Sequence, residues 1–444
     1  MLSVDKENIH WKNWSESVHC QPEKFLKPQN LEELINLVKM CNEDNRKIRV
    51  VGSGHSFTPL SATTELLVSI ENLTGIDHVD AKNEIVTVWA GTILKKLGEL
   101  LFEQGYAMEN LGDINAQSIA GAISTGTHGT GIDFGSISTQ VAGVTLLTAT
   151  GELLEISEQS NPELLEAVKV SLGMLGIIVK VKLKVVPAYQ LIARSYRSTL
   201  NECIAILDQL NKDNRNFEFY WFPYTETVQI KTMNIYNETI EKEYKPSFIK
   251  DVLIENGLFK VISEVSRIIP ATSKMMSQVS AMGVPVGEKK GDSHLLYATP
   301  RLVKFNEMEY SIPAEYMGEV LKEIEETIKR KKYRVHFPLE CRYVNRDAIW
   351  LSPAYERDSA FIAVHMYKGM EFAEYFAAIE EIFQRYDGRP HWGKMHTMTN
   401  EKLLNAYPKL NEFLRVRNEL DENGIFLNEY MIELFNIKNL ITSK

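Results

Sequence analysis

Lys47-Ile48-Arg49-Val50-Val51-Gly52-Ser53-Gly54-His55-Ser56 reads as a short β-branched strand that runs straight into two glycines, two serines and a histidine. Such a junction turns several backbone N–H groups towards one point. Glycine also permits the positive φ and the close backbone approach that a pyrophosphate requires. Taken alone the signal is weak, because Gly-x-Gly is common in turns and a loop histidine is most often just hydrogen-bonded. The stretch is not a Gly-x-Gly-x-x-Gly fingerprint. The third glycine is missing, and Leu66-Leu67-Val68-Ser69-Ile70 predicts a strand where a helix should begin. A nicotinamide-dependent dehydrogenase is therefore the weakest reading.

Upstream, Asn30 with Glu33 three residues on and apolar Leu34, Ile35, Leu37 and Val38 predicts a capped helix ending near Asn45. Downstream, the spacing predicts a strand over Glu84–Gly91 and a helix over Ile93–Gln104 stopped by Gly105. Residues 112–135 then carry glycines at 112, 121, 126, 129, 131 and 135. Ile114, Ile119 and Ile123 are interleaved with these small residues, which a flexible linker would not do. This second loop offers serine and threonine hydroxyls and amides to a ligand. Strands at Gln140–Thr148 and Ile177–Val185 flank a helix at Pro162–Val168, and the texture changes near Pro187.

The chain has 444 residues, too many for one comfortable core, so two or three domains are expected. Its net charge of −10 argues against nucleic acid as a partner. No run of apolar residues is long enough to span a bilayer, and the N-terminus shows no secretory pattern. Cys20, Cys41, Cys203 and Cys341 are widely spaced, which argues against a disulfide framework and a zinc site and makes the cytoplasm the simplest home. No metal site is expected.

In the C-terminal half, long mixed strands are expected over 187–235, polar amphipathic helices and loops over 236–290, and a charged helix over 318–332. Strands follow at Arg334–Val344, Ala348–Pro353 and Phe361–Tyr367, then a helix at Ala373–Tyr386. Within the first of these strands, Glu340 and Arg342 share a face, as do His365 and Tyr367 in the third. Their bland reading is a surface ion pair and a half-buried histidine. Arg389-Pro390-His391-Trp392-Gly393-Lys394 places a tryptophan and a glycine between two cationic candidates, unusual for a plain loop.

Three stretches together, VVGSGHSF, NLGDINAQSIAGAISTGTHGTG and SLGMLGIIVKVKLKVVP, resemble the FAD domain of the vanillyl-alcohol oxidase superfamily. Within it the chain is similar to the sugar-1,4-lactone oxidases, with alditol oxidase a close relative. The resemblance is dense over residues 20–190 and thinner from 330 to 430. It implies an α+β fold: a two-part FAD-binding domain of the PCMH type over 1–187, divided near residue 75, then a substrate or cap domain over 188–430 built on an antiparallel sheet with helices. Residues 431–444 are expected to return to the FAD domain.

The resemblance further implies FAD bound covalently through His55, since the histidine of this loop bonds to the flavin 8α-methyl carbon in such proteins. Gly52, Ser53, Gly54, Ser56, Ser118, Gly121, Thr125, His128, Ile177, Ile178 and His391 are implied to line the cofactor. Gly112 falls at the position where a small residue admits oxygen, and Asp113 stands where alditol oxidase has serine. Glu340, Arg342, His365 and Lys394 are implied to form the polar side of the pocket. Arg342 and Lys394 would stabilise a developing alkoxide, and Lys394 or His365 would accept the proton. The expected substrate is a sugar-1,4-lactone oxidised to a 2-keto lactone, with O2 or another electron acceptor. The alternatives are an alditol oxidase and a flavin-binding protein without turnover. Tyr367 stands where alditol oxidase has threonine, and this bulk weighs against an acyclic polyol.

Overall fold

The computed structural model describes residues 3–4, 9–240, 244, 255–298 and 302–437. Three sheets carry the architecture. In the first, Lys24–Lys27, Leu66–Ser69 and Ile48–Val51 run parallel, with Ser3–Val4 antiparallel at one edge. The helix Leu31–Glu43 is capped by Asn30, whose side chain accepts from Glu33 N at 3.0 Å. It buries Leu34, Leu37, Val38 and Cys41, one helical stripe. The strand Ile48–Val51 ends at Gly52, which places the Gly-Ser-Gly-His turn at the carboxyl end of a parallel sheet.

The second sheet is antiparallel, in the order Leu153–Ser157, Val141–Leu147, Ile177–Lys184, Ile85–Trp89 and Ile76–Asp80. The glycine-rich stretch is not loop throughout. Ile119–Ser124 is a short helix, because Ser118 accepts from Gly121 N at 3.3 Å and four apolar side chains anchor it.

The third sheet has eight antiparallel strands: Gly287–Asp292, Gln190–Thr199, Thr227–Ile235, Asn216–Trp221, Leu339–Val344, Ser359–Tyr367, Phe305–Pro313 and Arg389–Pro390. Its central strands are buried along their whole length. Helices Met317–Lys331 and Ala373–Arg385 pack on each other, the second also against Phe305–Pro313. Ala348–Pro353 is not a strand. Asp347 instead anchors a turn, accepting from Ile349 N at 3.0 Å and Ser352 Oγ at 2.6 Å. The strand expected from Arg334 begins only at Leu339, behind Pro338. The poorly patterned 236–290 region holds two helices, Glu255–Ile268 and Ser273–Met282; the parts at 241–243 and 245–254 lie outside the described residues. No helix among the described residues is long and apolar enough to cross a membrane.

The chain comes back to its first sheet before residue 431. Ile48 N donates to Ile425 O at 2.8 Å, and Asn428 Nδ2 donates to Pro59 O and Ala62 O, each at 2.8 Å. Arg49 fastens this join. Its guanidinium donates to the carbonyls of Leu60 at 2.9 Å, Gly173 at 2.9 Å, Leu172 at 3.0 Å and Phe426. Leu172 has φ +56°, so Arg49 also holds a turn that a bulky residue resists. Arg49→Met leaves four carbonyls without this donor. We expect a loss of at least about 3 kcal/mol, read as a lowered denaturation midpoint.

His336 and His391 are fully enclosed, and burial lowers their pKa to about 4 and about 3. Each is neutral when folded and charges more readily when unfolded. Stability is therefore complete above the unfolded value of about 6.5 and falls as pH drops from there towards 4. A thermal melting series across that window should show a steady decline, flattened by His336→Asn.

Candidate active site

Two clefts adjoin. The first, about 990 Å³, runs between the Gly52–Ser56 turn, the helix at Ile119–Ser124 and the Leu172–Ile178 segment. Gly52, Ser53, Gly54, Ser118, Gly121, Ile177 and Ile178 line it. The second, about 740 Å³, lies against the large sheet and is lined by Gly112, Asp113, His128, Glu340, Arg342, His365, His391 and Lys394. His55, Ser56 and Thr125 line both, so the clefts meet at the histidine. Every residue expected at the site thus borders one cleft or the other.

The first cleft suits a dinucleotide phosphate. Gly54 has φ +66°, and a Cβ on Gly52 would sit 2.2 Å from Ser118 Oγ. The buried Ser53 Oγ has no hydrogen-bond partner among the described residues. The carbonyl of Gly54 accepts from Trp14 N at 2.7 Å.

His55 lies under Trp14, with ring centroids 5.8 Å apart and planes at 21°. Burial and then the charge of Lys394 lower its pKa to about 4. At neutral pH it is an uncharged imidazole with a free lone pair.

The second cleft is walled by charges from neighbouring strands. Register sets them in rows: Tyr220 opposite Glu340, Glu218 opposite Arg342, and His365 opposite Glu307. Arg342 Nε donates to Glu218 Oε2 at 2.9 Å and Nη2 pairs with Glu340, which also receives the Tyr220 hydroxyl. Asp113 lies 4.0 Å from Arg342, so its charge belongs to this cluster. Burial alone would lower the Arg342 pKa, but Glu340 and Glu218 hold it well above its ordinary value. Burial raises the Glu218 carboxyl, and Arg342 outweighs it to leave a net lowering.

Lys394 Nζ is 2.5 Å from Glu307 Oε2, and His365 Nε2 is 3.4 Å from Glu307 Oε1. Burial would raise the Glu307 carboxyl, yet Lys394 and His365 bring it to about 2. His128 Nε2 is 3.4 Å from Glu309, whose carboxyl is held well below its usual range against the effect of burial. The turn bearing Lys394 is fixed on both sides: His391 N donates to Glu309 O at 3.0 Å, and Phe57 N donates to Gly393 O at 2.7 Å. His391 Nδ1 accepts from Gly393 N at 3.1 Å, so its ring hydrogen sits on Nε2. Two groups, His128 with Glu309 and His391, and Glu307 with Glu340 and His365, have donor atoms close enough for an ion. Of these carboxylates, Glu309 lies against His128, Glu307 against Lys394 and His365, and Glu340 against Arg342.

Sequence reading missed Glu218, Tyr220, Glu307, Glu309 and Trp14. A carboxylate inside the aromatic run Phe217-Glu218-Phe219-Tyr220-Trp221 was the available signal, as was the alternation Glu307-Met308-Glu309. Tyr367 is not among the residues that line the cleft; its hydroxyl donates to Glu264 Oε1 at 2.5 Å, on the helix Glu255–Ile268. A Cβ on Gly112 would press on His128 O at 2.8 Å.

Residues 22–157 match the family described as FAD binding domain, and residues 181–434 match D-arabinono-1,4-lactone oxidase. An L-gulono-1,4-lactone dehydrogenase of Mycobacterium tuberculosis is 36% identical, over 95% of this chain and 97% of its own length. An L-gulonolactone oxidase of Mus musculus is 32% identical, over 97% of this chain and 99% of its own. Cholesterol oxidase from Brevibacterium sterolicum superposes with a TM-score of 0.84 over 98% of both chains at 16% identity, a likeness of fold. With an FAD binding domain followed by the lactone oxidase portion, the chain belongs to the D-arabinono-1,4-lactone oxidase family.

Proposed function

We propose that the protein is an FAD-dependent oxidoreductase that oxidises a hydroxyl of a sugar-1,4-lactone to a 2-keto lactone, able to enolise to an ascorbate-like product. The supporting observation is the pair of cations, Arg342 and Lys394, in the wall of a cleft that meets the dinucleotide cleft at His55. A non-catalytic flavin binder has no use for them. FAD, when bound, supplies the acceptor for the hydride equivalent that leaves the substrate carbon. Gly52–Ser56, Ser118, Gly121, Thr125, Ile177 and Ile178 would hold its phosphate and adenine portions. Gly112, Asp113, His128 and His391 would border the ring, with a covalent bond from His55.

The chain's own groups then do four things. Arg342, held by Glu218 and Glu340, donates to the substrate oxygen as charge develops there. Lys394 adds a second positive charge beside Glu307. Glu340 orients the neighbouring hydroxyl, and His365 borders the same space. The two-part FAD domain over 1–187 and the cap over 188–430 follow the division between the first two sheets and the third, with the segment from Ile425 tied back to Ile48. O2 as the electron acceptor and a cytoplasmic location complete the reading; four unpaired cysteines suit a reducing compartment.

Anaerobic mixing with gulono-, galactono- and arabinono-1,4-lactones beside xylitol and sorbitol tests it. Lactones should bleach the flavin, and admitted air should restore the colour. A clear preference for the polyols contradicts the substrate class. A flavin that no compound bleaches contradicts the enzyme.

A further inference from the structure

Glu307 meets two groups of the proposed machinery at once. Its Oε2 lies 2.5 Å from Lys394 Nζ and its Oε1 3.4 Å from His365 Nε2. The backbone fixes it there. Glu307 pairs with His365 across two strands, and its carbonyl accepts from Met395 N at 2.9 Å, next to Lys394. His365 Nδ1 faces Pro338 O at 3.2 Å. A carbonyl only accepts, so the ring hydrogen sits on Nδ1 and Nε2 is the nitrogen turned towards Glu307 and the cleft.

We propose that Glu307 is a positioning residue that divides the work of these two side chains, holding Lys394 as a cationic donor and standing beside His365 Nε2 to accept its hydrogen bond once that nitrogen has taken the substrate's hydroxyl proton. This rests on the hydroxyl-oxidation reading given above. The substrate O–H bond breaks, and its proton passes to Nε2 of His365. The O–H electron pair becomes the second carbon–oxygen bond, while the hydrogen on that carbon leaves with its electrons to FAD. The N–H so formed on His365 Nε2 has Glu307 Oε1 3.4 Å away as its acceptor. An ammonium already held in an ion pair donates rather than accepts, which assigns the proton to His365 instead of Lys394. Among the described residues, Glu309 on the same strand, Glu340 and Arg342 on the strand Leu339–Val344, His128, and the imidazoles of His55 and His391 also face this cluster.

E307Q and E307D in the flavin-loaded protein test the assignment by anaerobic stopped-flow reduction at several pH values. E307Q is expected to reduce flavin roughly 100-fold more slowly at similar substrate affinity. E307D keeps the charge at shorter reach, so its rate should fall only about tenfold. A second readout needs neither substrate nor flavin: acetylation of Lys394 by acetic anhydride, followed by mass spectrometry, should speed up about tenfold in E307Q relative to other lysines. An E307Q rate within about threefold of wild type overturns the proposal. If no lactone or polyol bleaches the wild type, the hydroxyl-oxidation reading has failed on its own. Lys394 acetylation then decides for Glu307, and an unchanged rate overturns its hold on the lysine. Should E307Q fail to fold, E307D carries the test, and a wild-type rate in that variant overturns it.

Discussion

His55→Ala is expected to convert a flavin that stays in the pellet after acid precipitation into one released wholly to the supernatant. The strand Ile48–Val51 delivers His55 to the point where the two clefts meet. A nucleophile there must keep its lone pair, and burial with the Lys394 charge does so by lowering the imidazole pKa to about 4. Trp14 lies against the ring, so its plane is set before cofactor arrives. Attachment in reconstituted apoprotein should therefore be insensitive to pH through the neutral range and should fail as pH drops through about 4, where the imidazole protonates. The alanine variant should still bind FAD through the Gly52–Ser56 amides. Because a histidyl substituent raises the flavin's potential, the variant should also turn over more slowly. Colour kept in the acid pellet of the variant would place the bond on another residue.

Lys394→Ala is expected to slow flavin reduction by about 10²–10³ with little change in substrate affinity, since it removes charge stabilisation that matters most in the transition state. The measurement is single-turnover reduction over a range of lactone concentrations, which separates rate from binding. A second effect follows from burial. Glu307 is 4% exposed, and its carboxyl stays ionised largely because Lys394 is beside it. Deleting the lysine leaves the buried Glu307 carboxylate without its ammonium partner, a loss on the order of 3 kcal/mol that a thermal melt would register. A near-normal rate would remove Lys394 from the chemistry even if the melt shifted.

Much of this was legible because the residues that carry it are local in sequence. Gly52-Ser53-Gly54-His55-Ser56 needs only a strand before it, and Glu340 with Arg342 needs only the two-residue period of a strand. The helices at 31–43, 94–103, 317–331 and 373–385 follow from apolar spacing and caps. What stayed hidden depends on which strands become neighbours. Glu307 and Glu309 matter because Phe305–Pro313 pairs with Ser359–Tyr367, and Glu218 because Asn216–Trp221 pairs with Leu339–Val344. No periodicity encodes those registers. Trp14 reaches His55 through a small hairpin, Trp11–Lys12 with His19–Cys20, too short to read as strands. Ala348–Pro353 misled for the opposite reason: Ile349 and Leu351 alternate as a strand would, but Asp347 and Pro353 fold them into a turn.

One cofactor lying across both clefts, with the lactone held at the Arg342 and Lys394 end, is the central proposal. Anaerobic titration of the purified yellow protein with L-gulono-1,4-lactone, followed by the flavin's visible absorbance, tests this directly. The predicted result is complete bleaching in wild type and none on the same timescale in Lys394→Ala. A colourless protein that takes up no FAD on reconstitution, or a yellow one that the lactone leaves unchanged, would contradict it.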